Sequence, residues 1–308
     1  MTRAPVDLGS GTVLDLGVRF LGHRGGAIID AADGARDDAM TADDAPDASD
    51  APIDAMPDSM TTPVGWSTPE LLGISNVDDP TLTGDLLQIW FDQGGDIYHA
   101  SRASVFVAFG LATEVTELST LAAETTPEVS ADGTVMLFAR NFGTIDVYIS
   151  TWDPGTQAWS VPVPIDDINT LDHETAASMS TDGRMLAFAR SSPVGTADIY
   201  ISTRAQVADP WGTPVAATEL NSNTHDGSPF LTGDKLTLCF DSLRASVQHD
   251  IYCATRSSPA LPFDAPVAIT AINSAQSDQD PWLSPDGKLL IFWSDRDGTG
   301  RLYFSRRP

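Results

Sequence analysis

The stretch "DPWLSPDGKLLIFWSDRDGTGRLYFSRR", residues 280–307, decides the fold, because it recurs. A short segment, "PWLS", leads into a turn at Asp286-Gly287, where glycine allows positive φ and the aspartate can hydrogen-bond its own turn. The apolar run "LLIFW" follows; it is too short for a helix and apolar on both faces, which marks a strand buried between layers. A second turn then leads into "RLY" and further β-compatible residues.

Four more copies precede it: "DPTLTGDLLQIWFDQGGDIYHASR" from Asp79, "TPEVSADGTVMLFARNFGTIDVYISTW" from Thr126, "ASMSTDGRMLAFARSSPVGTADIYISTR" from Ala177 and "SPFLTGDKLTLCFDSLRASVQHDIYCATR" from Ser228. Aligned on Pro80, Pro127, Ala177, Pro229 and Pro281, the units start about 47 to 52 residues apart. The Asp-Gly turn recurs at Asp132-Gly133 and Asp182-Gly183, and in reversed order at Gly84-Asp85 and Gly233-Asp234.

Between units lie "AWSVPVPIDDINT", "PWGTPVAATELNS" and "PFDAPVAITAINS", each an aromatic, two residues, proline and then a strand. Each unit is therefore expected to hold strands A, B and C plus a connecting strand D. Four antiparallel strands per roughly 50 residues make a propeller blade. One relative of strand D, "GWSTPELLGISN" (65–76), precedes the first unit, while the chain ends just after strand C of the fifth. The two deficits cancel if residues 66–75 pair beside residues 301–306. The expectation is an all-β chain, a five-bladed β-propeller of four-stranded antiparallel blades, spanning residues 64–308 and closed by its own N-terminal strand.

Residues 1–63 read differently. The run at 30–63 is dominated by Asp, Ala and Pro and has no aromatic residue, so it cannot bury enough apolar surface to offset its ordering entropy. A disordered acidic leader or tether is expected. The first 29 residues do not read as a signal peptide, since Asp15, Arg19 and Arg24 interrupt the apolar part. No apolar run reaches the roughly 18–20 residues of a membrane span.

The net charge of −26, from 17 basic and 43 acidic residues, argues against nucleic acid and against an anionic membrane surface. It leaves room for a cationic partner or a metal ion. Cys239 and Cys253 fall on neighbouring strands of one hairpin, where a disulfide is feasible; two buried free thiols are the expectation, because each replaces a mostly apolar column.

The motif "S-P-D-G-K-x-x-x-F-x-S-D-R-D-G", Ser284 to Gly298, resembles the WD40-like β-propeller repeat of TolB-type proteins. The likeness extends over about residues 66–308. It implies a non-enzymatic binding scaffold, periplasmic or attached to the cell envelope, where similar Asp/Ala/Pro spacers occur. The five repeats depart from the six blades of TolB, and TolB's additional α/β domain has no counterpart, so its specific role does not transfer.

Propeller geometry turns repeat columns into rings. Three residues before the Pro80 column stand Glu124, Glu174, Asp226 and Asp278, with Val77 in the first blade. They form either a carboxylate ring at one mouth of the channel, suited to a cation or basic segment, or caps that each serve their own turn. His173-Glu174 and His225-Asp226 share two columns in adjacent blades, and His249 lies in the B–C loop of the blade that His225 enters. Those four residues could hold zinc or another divalent cation; no other cofactor is indicated. "DRDGTG" (295–300) lacks the spaced ligands of an EF-hand.

The longest B–C loop, "DSLRASVQH" (241–249), with Arg244, Gln248 and His249, is the expected contact for a protein, peptide or glycan partner of a monomeric scaffold. The alternative is a glycoside hydrolase, which needs opposed carboxylates specific to single blades. No G-x-S-x-G elbow supports nucleophilic catalysis.

Overall fold

A computed structural model describes residues 65–308. The acidic leader expected over 1–63 lies outside the described residues. Strands are the regular elements of the described chain, and among these residues no helix is long and apolar enough to cross a membrane.

Five antiparallel sheets follow one another in chain order, each running from an inner strand A to an outer strand D. Blade 1 comprises Asp78–Leu82, Gln88–Asp92, Ile97–Ser101 and Thr113–Glu114. Blade 2 comprises Ala123–Val129, Val135–Asn141, Ile145–Asp153 and Val163–Pro164, with Ala158–Trp159 pairing back antiparallel on the end of its strand C. Blade 3 comprises His173–Met179, Met185–Ser191, Ala197–Thr203 and Val215–Ala216; blade 4 comprises Asp226–Leu231, Thr237–Ser242, Asp250–Thr255 and Val267–Ala268. Blade 5 takes Asp278–Leu283, Leu289–Ser294 and Arg301–Arg306 from the end of the chain and Glu70–Ser75 from its described beginning. The ring closes through strand D, as the unmatched stretch at 65–76 predicts.

The repeated aromatics build the blades. Phe91, Phe138, Phe188, Phe240 and Phe292, one per strand B, are fully buried. Each stands opposite a strand C tyrosine, Tyr98, Tyr148, Tyr200, Tyr252 and Tyr303, with rings stacked at 6.0 to 6.4 Å. Burying one such ring contributes about 2–3 kcal/mol. Cores form between blades: Trp90 and Ile97 of blade 1 pack with Val129, Met136 and Phe138 of blade 2. The aromatic that leads into strand D, followed by x-x-Pro except at Phe109, meets an arginine just beyond strand C: Arg102 lies over Phe109, Arg204 over Trp211, Arg256 over Phe263 and Arg307 over Trp66, at 4.1 to 4.7 Å.

The A–B turns are alike in all five blades. Thr83, Ser130, Ser180, Thr232 and Ser284 each donate to the aspartate two residues on, at 2.6 to 2.7 Å. The residue after that aspartate is left-handed. It is Gly133, Gly183 and Gly287 in three turns, and Leu86 (φ 63°) and Lys235 (φ 68°) in the reversed pair. Gly84 and Gly233 therefore serve close approach between blades rather than φ; a Cβ on Gly233 would sit 2.0 Å from Thr181 Oγ1.

One expectation needs correction. Cys239 and Cys253 are directly opposed on strands B and C and are joined in a disulfide; packing in an apolar column does not prevent bonding when the register brings the pair face to face. The D strands that begin in blades 1 to 4 are only two residues long. Beyond them, Asn169, Asn221 and Asn273 continue the pairing with side-chain amides, each accepting from and donating to one strand C residue (Val147, Ile199 and Ile251) at 2.8 to 3.0 Å.

Candidate binding site at the channel mouth

Each strand A carries a bulge in the same repeat column, between Asp78 and Thr81, Thr125 and Glu128, Thr175 and Ser178, Gly227 and Phe230, and Gln279 and Trp282. The bulged residue, Asp79, Thr126, Ala176, Ser228 or Asp280, is left-handed, with φ of 45 to 54°. No glycine occupies this column, so each blade holds about 1–2 kcal/mol of backbone strain beside the axis. This column and the residue after it in each blade line the central channel, together with Glu128, Ser178 and Phe230. The free volume there is about 40 Å³, room for a few waters and too little for a sugar ring.

The predicted carboxylate ring is not open to this channel. Glu124, Glu174, Asp226 and Asp278 are all 0% exposed. Arg140 and Arg190 donate through Nε to Glu124 and Glu174 at 2.7 Å; Arg244 and Arg296 donate through Nη2 to Asp226 and Asp278 at 2.5 Å. The same guanidiniums reach the carbonyls of Leu118, Ile168, Leu220 and Ile272. Thr120, Thr170, Ser222 and Ser274 donate their backbone N–H to the acids. These carboxylates cap their own D–A turns, and their oxygens are occupied within the blade. The expectation that they contact a partner is corrected for that reason.

Arg244 is likewise spent on Asp226, and Gln248 accepts a hydrogen bond from Ser277 Oγ at 2.8 Å, tying the 241–249 loop to blade 5. Only residues 245–247 of that loop are exposed. The expected four-residue metal set is not assembled either, since Glu174 and Asp226 are buried in arginine pairs. His173 Nδ1 accepts from Ile145 N at 3.1 Å and joins no ligand cluster. His225 does meet His249, ring centroids 5.0 Å apart, with the Asp241 carboxylate against both.

Blade 1 lacks the buried ion pair altogether: Val77 stands in the acid column and Gln93 in the arginine column of blades 2 and 3. A different set of acids gathers there. Asp78 faces Asp92 across strands A and B, and Asp79 hydrogen-bonds Asp280 of blade 5. Asp78, exposed at the rim, rises to about 6 through partial desolvation against the blade, reinforced by the charge of Asp280. Burial pushes Asp92 up to about 7, reinforced by Asp78. Asp280 rises to about 6 through burial and the charge of Asp241, and Asp79 rises well above the usual carboxylate range for the same two kinds of cause. Deeper in the channel, burial lifts Glu128 to about 8, although it accepts from Thr81 Oγ1 at 2.9 Å.

Asp78 and Asp92 form one wall of a recess of about 430 Å³, whose other walls are Asn76, Val77, Gly94, Gly95, Trp293 and Gly300. Trp293 folds over Gly300, where a Cβ would fall 2.4 Å from the indole. Among the described residues, no lysine or arginine forms an ion pair with Asp78, Asp79, Asp92 or Asp280. Reading columns for repetition misses this site, because it is built where blade 1 breaks the pattern. The visible signal is the run "VDDP" (77–80) with Asp92: sister blades carry an acid in place of Val77, Thr, Gly or Gln in place of Asp78, and Ala, Asp or Trp in place of Asp92.

No protein-family model matches the sequence, and no curated protein matches it in sequence. Solved structures share its fold. An endo-arabinase from Bacteroides thetaiotaomicron is 14% identical, with TM-score 0.57 over 79% of this chain and 98% of that one. A thermostable family-43 glycoside hydrolase is 15% identical, with TM-score 0.56 over 79% and 90%. TolB from Acinetobacter baumannii is 16% identical, with TM-score 0.43 over 75% of this chain and 54% of that one. At such identities the first two likenesses speak to the fold alone, and the third carries no argument.

Proposed function

We propose that the protein is a non-enzymatic recognition module that binds a protein or peptide through a basic side chain seated in the blade 1 recess. The observation that carries this reading is the facing pair Asp78 and Asp92 beside Trp293 in a recess of about 430 Å³. Carboxylates whose proton affinity is raised by burial and by one another gain most from a cation brought among them. An indole wall adds cation–π attraction for a guanidinium or ammonium group. The narrow channel leaves the recess as the place for a side chain, and the closed ring holds it rigidly.

The experiment is a titration of short capped peptides, with one central arginine or its citrulline analogue, against the full chain. The arginine peptide is expected to bind with 1:1 stoichiometry, and Asp92→Asn or Trp293→Ala to weaken it about tenfold or more. Asp286→Asn, on the opposite turn, should leave it unchanged. Equal binding of both peptides, or equal loss in all three variants, would sink the reading.

The glycoside hydrolase reading has one specific support: burial raises Glu128 to about 8, while Asp280 on the same channel wall rises only to about 6, a separation of the kind that acid and base roles use. The small free volume around Glu128 opposes it. Release of reducing sugar from arabinan or fructan, abolished by Glu128→Gln, would replace the binding reading with this one.

A further inference from the structure

We propose that His225, Asp241 and His249 form a binding site for a divalent transition-metal ion, with zinc the best match to the donors. One nitrogen from each histidine and one oxygen from Asp241 lie within 4.8 Å of one another. Two imidazoles and a carboxylate are a donor set for zinc and its neighbours, and three protein ligands leave a position for water or an exchangeable ligand. The site is separate from the blade 1 recess and does not depend on a basic partner.

Three observations point to it independently. The first is an orphaned atom. Asp241 is 1% exposed, its Oδ2 meets His249 Nδ1, and its Oδ1 has no hydrogen-bond partner. A buried carboxylate oxygen left without a partner is costly, and a cation would satisfy it.

The second is a cradle. Gly227 lies directly opposite Asp241 on strand A, and a Cβ there would sit 2.5 Å from His225 Nε2. Gly227 is absent from the positive-φ glycines, so its backbone does not demand glycine. The equivalent residues in the other blades are Asp78, Thr125, Thr175 and Gln279. The missing side chain is what lets the imidazole lie over Asp241.

The third is that the full set meets only in blade 4. Where it has Asp241, the others have Asp92, Ala139, Ala189 and Trp293; where it has His249, they have Gly95, Ile145, Ala197 and Gly300. A histidine recurs only in the His225 column, as His173, which has neither partner. Residues that held up the blade would repeat with the blade.

The geometry needs small adjustments. His225 Nε2 is 3.9 Å from Asp241 Oδ2, and the rings meet edge to face at 74°. An ion would take the place of the proton between His249 and Asp241. Coordination through Nε2 puts the His225 proton on Nδ1, which gives up its 3.5 Å contact with Ala197 N. Both rings keep an exposed edge, 33% for His225 and 21% for His249, so an ion can enter.

The test uses the full chain stripped with chelator, titrated with Zn²⁺ by calorimetry and with Co²⁺ by visible absorption. One equivalent is expected to bind with nitrogen-ligand d–d bands, and to raise Tm. His249→Ala should lose the bands and about tenfold or more in affinity. Gly227→Ala, which evicts the His225 ring, should do the same, whereas His173→Ala should bind as the native chain does. Binding of the arginine peptide should survive His249→Ala, which keeps this test apart from that of the recess. Identical titrations for the native chain and His249→Ala would overturn the proposal, as would loss of binding in His173→Ala. If Gly227→Ala does not fold, His249→Ala and His173→Ala decide between them.

Discussion

Glu70, in the first strand of the fold, lies directly opposite Phe304 in the last. Ser67 strengthens the junction: its N–H donates to Arg306 O at 2.7 Å, and Ser305 Oγ donates to Ser67 O at 2.6 Å. Leu72 and Ile74 of the same strand are buried in the cluster that joins blades 1 and 5.

Deleting residues 64–76 should therefore open the ring, exposing the edge of strand C in blade 5 and the Leu72 and Ile74 seats. Aggregation is expected, read by size-exclusion chromatography. Deleting residues 1–60 should leave a monomer. A stable monomer from the first deletion would show that closure is dispensable.

The buried acid–arginine pairs should behave as units. Glu174→Ala leaves the half-buried Arg190 without its carboxylate and is expected to cost about 2–3 kcal/mol, below the range for a fully buried pair. Glu174→Val combined with Arg190→Gln copies the arrangement of blade 1 and should cost less than Glu174→Ala alone. Urea unfolding of the two variants and the native chain measures this; equal costs would mean that the pair is not coupled.

Stability should fall as pH rises through the neutral range. Asp78 and Asp280 at about 6, Asp92 at about 7 and Glu128 at about 8 hold protons that the unfolded chain has already released. From about pH 4 to pH 8 the native state thus binds more protons, and unfolding becomes easier with each step upward. His249, also raised, acts in the same sense, while His225, lowered, opposes it. Asp92→Asn should flatten the decline between pH 5 and 8 in thermal melts. A rise in Tm over that interval would contradict the site's electrostatics.

Loss of the Cys239–Cys253 bridge, which closes a loop of 14 residues, should destabilise the protein by about 2–3 kcal/mol in the chain-entropy view. The comparison is between native protein and Cys239→Ala/Cys253→Ala, by denaturant melts without reductant. No difference would mean that the thiols are free in solution.

The blade count, the strand order and the clasp were legible because they depend on patterns that repeat: Phe on strand B, Tyr on strand C, Asp in the A–B turn. Other features depend on single atoms and were not. Nothing in the spacing of Asn169, Asn221 and Asn273 tells a strand residue from an amide standing in for a strand. The left-handed Leu86 and Lys235 were hidden because a glycine two residues earlier suggested a different turn. The acids of the Glu124 column were visible, but their arginines come from strand B or the B–C loop, so the pairing that consumes them was not. The recess and the His225 cluster were obscured for the opposite reason. Their residues depart from the columns that make the fold readable, and only folding brings Asp78 to Asp92 or Gly227 under His225.

The junction between Ser67 and Arg306 makes the order of the blades independent of where the chain starts. The two ends of the folded part finish on neighbouring strands, so a short linker could join them while new ends are cut at the exposed tip Ala245–Val247. Such a permuted chain would keep every sheet and move the seam into blade 4. The seam is thus a property of the gene's reading order, and the ring itself has no first blade.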